Sequence, residues 1–91
     1  MSGRDVVLAQ GIAAARAGDR PAARRLLAEA ARRDPGSELA WLWLSGVLDT
    51  AQGRSHCLKK VLEINPANEV ARRGLQALEA APPAPALIAV N

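Results

Sequence analysis

Residues 24–43, RRLLAEAARRDPGSELAWLW, and residues 55–74, SHCLKKVLEINPANEVARRG, carry one pattern twice, offset by 31 residues. Leu27 falls on Leu58, Asp34-Pro35 on Asn65-Pro66, Glu38 on Glu69 and Ala40 on Ala71. Apolar character also repeats at Leu26/Cys57, Ala30/Val61 and Leu39/Val70. In each copy a run with helical spacing meets an Asp-Pro or Asn-Pro stop, and a second helical start follows at once. A helix–turn–helix unit repeating at about 20–50 residues is the mark of a solenoid, whose units stack because none buries its apolar face alone. Solenoids present surface to partners, so the repeat points to binding.

Working outward from the repeat, the chain divides into five helices. The first is expected from Gly3 to Ala17, with Val7, Leu8, Gly11, Ile12 and Ala15 at helical spacing and Ser2 or Asp5 as cap. Gly18 ends it through a left-handed conformation, and Asp19 caps the second helix, where Pro21 in the first turn costs no hydrogen bond. Asp34-Pro35-Gly36 stops that helix and Ser37 caps a third. From Leu39 to Leu48 the third helix is apolar almost all round, and it is too short to span a bilayer, so it is expected at the centre of the domain. Thr50 caps a fourth helix carrying Leu58, Val61, Leu62 and Ile64, which Asn65-Pro66 closes. A fifth, from about Asn68 to Ala80, has Val70, Leu75 and Leu78 on one face and Arg72, Arg73, Gln76 and Glu79 on the other. The spacing thus predicts an all-α helical-repeat domain over residues 1–80. Pro82, Pro83 and Pro85 make 81–91 a Pro-rich extended tail that ends in apolar Leu87, Ile88 and Val90.

Composition agrees. Ala and Leu dominate, Phe and Tyr are absent, and Trp41 and Trp43 are the sole aromatics, which favours close-packed helices over strands. Cys57 is the single cysteine, so the chain forms no internal disulfide and no Cys-based metal site. The start carries no signal-peptide core and no run approaches about 18 apolar residues. A cytoplasmic protein is the expectation, with no membrane association.

These motifs resemble the tetratricopeptide repeat (TPR) family. The places of the family pattern are taken in the first unit by Val7, Gln10, Gly11, Ala14, Ala23, Leu27, Ala30 and Pro35. In the second they are taken by Trp41, Leu44, Ser45, Leu48, Arg54, Leu58, Val61 and Pro66. The second unit departs from the pattern twice: it is about three residues short between its helices, which we assign to the turn, and Arg54 stands where a small residue packs closest. The chain also resembles a bacterial subgroup with this shortened second-repeat turn, in which the unit precedes a Pro-rich linker. The resemblance implies a right-handed solenoid of two hairpins plus a C-terminal capping helix. It further implies a concave groove lined by the first helix of each hairpin, and so a non-catalytic module that binds a peptide or helix of a partner protein.

Carried over by place, the groove residues are Leu8, Ile12, Ala15 and Arg16 from the first unit and Leu42, Trp43, Gly46 and Asp49 from the second, with Arg73 from the fifth helix. Apolar anchors with a few charges suit an amphipathic helix or extended apolar peptide. The plainer role for Leu42, Trp41 and Trp43 is core. Two other readings compete. Arg20, Arg24, Arg25, Arg32 and Arg33 lie on one helix and, with Lys59, Lys60, Arg72 and Arg73, offer a stripe for phosphates; interleaved Glu29, Asp34, Glu63 and Glu69 mark it instead as a solvated convex face, and nucleic acid as the lesser alternative. Two repeats fall short of the three usually needed for stability, so self-assembly is the other; Leu87, Ile88 and Val90, behind the Pro-rich spacer, suit the groove of their own chain or of a neighbour, the plainer reading being a tail that docks nowhere. Catalysis finds no support. His56 and Cys57 are adjacent and point about 100° apart on a helix, and a lone His is a poor metal site, so no catalytic, cofactor or metal residue is expected.

Overall fold

The computed structural model describes residues 3–80, with side chains from Val6 onward. They form five helices and no strand: α1 (Gly3–Arg16), α2 (Arg20–Arg33), α3 (Glu38–Val47), α4 (Ala51–Ile64) and α5 (Glu69–Ala80). The expected extended tail, with Leu87, Ile88 and Val90, lies outside the described residues. None of the described helices is long and apolar enough to cross a membrane.

The boundaries follow from local chemistry. Gly18 takes φ +83° after α1, a conformation that side-chain-bearing residues rarely adopt. Side-chain oxygens then start the next helices. Asp19 accepts from the Ala22 amide (3.2 Å), Ser37 from Ala40 (3.1 Å), Thr50 from Gly53 (3.0 Å) and Asn68 from Ala71 (2.9 Å). Each such cap stabilises its helix by about 1 kcal/mol. The Asp-Pro and Asn-Pro stops share one geometry. The Asp34 amide donates to the Ala30 carbonyl and the Asn65 amide to that of Val61, while Ser37 and Asn68 donate back to Asp34 and Asn65.

Each helix packs on the next in chain order, and α1 also touches α3. The first core cluster holds Ala23, Leu27, Leu44, Val47 and Cys57; a second holds Ala30, Ala31 and Ala40; a third holds Leu58, Val61 and Ala71. Trp41 borders all three, and its indole Nε1 donates to the Pro35 carbonyl at 2.8 Å, tying α3 to the preceding turn. Burial repeats with the sequence: Leu27 and Leu58, Ala30 and Val61, and Ala40 and Ala71 are buried pairs, whereas Leu39 and Val70 are both exposed. Val70, expected on the inner face of α5, is 65 % exposed, and Ala71 takes that place at 0 %. With Ala71, Leu75 and Leu78 at i, i+4 and i+7, the inner face obeys helical spacing, which Val70 does not.

Two departures from the repeat resolve physically. The connections α1–α2 and α3–α4 each run three residues, 17–19 and 48–50, so the missing residues come from the helix and not from the turn. The third helix has 10 residues where α1 has 14, and Leu48 beyond it is extended. Arg54 does not enter the close contact held by Ala23 in the first unit. Half-buried, its Nε donates to the Leu48 carbonyl at 2.7 Å and satisfies the end of the shortened α3.

Candidate functional site

The early end of α3 opens a hollow of about 460 Å³ against the end of α1 and the start of α2. Ala15, Gly18, Arg20, Leu42, Trp43, Gly46 and Val47 line it. Its wall is built by short elements. Gly18 turns the chain from α1 into α2, and Gly46 has open space where a side chain would project. Trp43 is half-buried, with one side toward the core cluster of Leu27 and Leu44. The Arg16 guanidinium lies 5.5 Å from the centroid of its ring, a cation–π contact that fixes the indole at the rim.

Charge is arranged around the apolar floor. Arg20 Nη2 donates to Asp49 Oδ1 at 3.2 Å, and Arg24 Nη1 to Asp49 Oδ2 at 3.4 Å, joining the start of α2 to the end of α3. These groups are largely exposed, so the pairs hold orientation more than stability. The site therefore offers an aromatic and aliphatic surface with cations on one rim, suited to an apolar segment.

Of the residues expected in a groove, Ala15, Leu42, Trp43 and Gly46 come together around the hollow, with Arg16 stacked on Trp43. Leu8 and Ile12 are half-buried and pack on the core cluster of Ala23 and Leu27. Asp49 reaches the hollow through Arg20, and Arg73 is exposed on α5 away from it. Gly18, Arg20 and Val47 were not expected. Gly18 belongs to the α1–α2 turn and Arg20 to the start of α2, both outside the first helices, and Val47 joins them where α3 ends early.

A second hollow, about 380 Å³, lies between the start of α4 and the end of α5 and is more polar, with Gln52, Ser55, His56, Lys59, Leu78 and Glu79 on its walls. His56 is exposed there and meets the edge of Trp41, with centroids 5.9 Å apart. Its neighbour Cys57 is buried in the core, and burial pushes its thiol up to about 11. Across the domain, Glu38 accepts from the side-chain amides of Asn65 (2.9 Å) and Asn68, clamping the start of α3 to the α4–α5 turn. The hydrogen bonds from Asn65, and next from Asn68, hold its carboxyl below the ordinary 4.5. Along α2, Arg32 and Arg33 both face Glu29, the latter at 2.7 Å.

Fold and site together define an all-helical domain with an apolar, cation-rimmed hollow. Compared with family models, curated proteins and solved structures, the chain matches none.

Proposed function

We propose that this domain is a non-catalytic protein-interaction module, a short right-handed stack of two TPR-like helical hairpins closed by α5. In this reading it binds an apolar stretch of a partner protein in the hollow at the shortened end of α3. One observation carries the reading: Leu42, Trp43 and Val47 stand around open space at Gly46, with Arg16 stacked on the indole and Arg20 beside it. Apolar anchors of the partner fill that space, and Arg16 on the indole favours a carboxylate beside them, Arg20 being paired with Asp49. Large rigid aromatics of this kind supply most of the binding energy in small interfaces. The pairing of Arg20 and Arg24 with Asp49, and of Arg32 and Arg33 with Glu29, weighs against a phosphate-binding role for α2.

The test is selection of binders from a displayed peptide library on the full chain, followed by challenge with Gly46→Arg. That substitution places a long side chain into open space on a helix that gains propensity, so the fold survives while the hollow is filled. Binders with apolar cores that resist high salt and fail on Gly46→Arg support the reading. Selection that yields only basic-face ligands, lost in salt and indifferent to Gly46→Arg, overturns it.

A further inference from the structure

The topology also brings the hollow within reach of a segment of the same chain. The four connections, 17–19, 34–37, 48–50 and 65–68, are short and join helices that pack on one another, so α1, α3 and α5 run in one direction. The ends of α1, α3 and α5 therefore lie at one end of the domain. The two hollows record this: one joins Gly18 to Val47, and the other joins Gln52 to Glu79. The described chain leaves α5 at Ala80, at the end of the domain where α1 and α3 also end.

Residues 81–86, Ala-Pro-Pro-Ala-Pro-Ala, follow Ala80 as a Pro-rich spacer. Six residues of extended Pro-rich chain span about 19 Å at about 3.1 Å each. Packed helices lie about 8–10 Å apart, and Leu75 and Leu78 of α5 share a cluster with Trp41 and Leu42 of α3. That reach exceeds the separation of α5 from α3, so it is long enough for the segment beyond it to meet the hollow. The segment that follows, Leu87-Ile88-Ala89-Val90, is apolar, and 80–91 contains no charged side chain. We propose that Leu87–Val90 docks in cis in the hollow beside Trp43 and Gly46, so that a partner must displace the chain's own segment to bind. The proposal rests on the hollow being a binding site, as argued above, and names its resident occupant. Four apolar residues bind weakly when free, but a short matched linker supplies an effective concentration of about millimolar, enough to hold a segment of millimolar affinity.

The experiment places a nitroxide on Ala89→Cys in the full chain and reads amide signals by NMR with the label oxidised and reduced. Cys57 is buried and its thiol is held protonated, so labelling is confined to the new site. Docking in cis broadens Gly18 and Gly46 reversibly, and adding Gly46→Arg removes the broadening while the spectrum stays folded. A companion Ile88→Asp substitution, outside the five helices, raises the affinity of a library-selected peptide by about two- to tenfold. Broadening at Gln52 and Ser55 instead, no localised broadening, or broadening of unlabelled isotopic chains mixed with nitroxide-bearing ones (a second copy as occupant) each overturns the proposal. If selected peptides still bind and still fail on Gly46→Arg, the binding site survives and its cis occupant is excluded; if selection also fails, both fall.

Discussion

Two glycines in helices of opposite surroundings give a paired test of the packing. A Cβ at Gly11 would stand 2.7 Å from Leu27 Cδ2, 2.8 Å from Leu27 Cγ and 3.2 Å from the Leu27 amide nitrogen. Leu27 is fully buried and cannot swing away, and the backbone behind it belongs to α2. A Cβ at Gly46 would meet nothing within 4 Å. Glycine to alanine inside a helix gains roughly 0.5–1 kcal/mol at either place. At Gly11 that gain is set against overpacking of about 1–3 kcal/mol. Gly46→Ala should therefore stabilise the domain, Gly11→Ala should destabilise it, and the two should differ by about 1–3 kcal/mol. For a domain of this size that separates their melting temperatures by roughly 5 °C or more. Urea and thermal unfolding followed by circular dichroism read both. Gly11→Ala equal to or more stable than Gly46→Ala would show that α1 and α2 are not in the close contact described.

Three further outcomes follow from the geometry. Cys57, buried and pushed up to about 11, should react with a thiol reagent at neutral pH only through unfolding, so its rate should rise steeply with urea; fast labelling of the folded chain contradicts its burial. Because the folded domain holds the Glu38 carboxyl below 4.5, its contribution is present above that value and fades as pH falls through the lower folded value. Glu38→Gln should accordingly flatten the loss of stability on the acid side, and an unchanged acid slope contradicts the clamp. Trp41→Phe removes the donor to Pro35 and should cost about 0.5–1.5 kcal/mol plus lost ring contact, read by urea midpoint, whereas no change would discount that tie.

The helices were legible in the sequence because their punctuation is local. Gly18, Asp19, Ser37, Thr50 and the two X-Pro stops do what their chemistry dictates. Most matched apolar positions across the 31-residue offset also carry matched burial, down to exposed Leu39 and Val70, whereas Leu26 is half-buried where Cys57 is buried. Favouring Val70 over Ala71 gave weight to side-chain size where spacing decides, since Ala71, Leu75 and Leu78 are the periodic set. A deficit of three residues between the helices does not say where the loss falls, and sequence spacing left it on the turn. Only the packed structure shows α3 ending early and Arg54 capping it. The hollow was half legible for the same reason. Trp43, Leu42, Gly46 and Ala15 follow from helix faces, whereas Arg20, Gly18 and Val47 join it through a shortened helix and a neighbouring turn.

The most direct test of the interaction site is the dissociation constant of a library-selected peptide for the intact chain and for Gly46→Arg, each shown to be folded by its melt. Filling the space beside Trp43 should weaken binding by about 30-fold or more, the loss of one central anchor of about 2 kcal/mol. Equal affinity of the two proteins for the peptide would contradict the assignment of the hollow as the binding site.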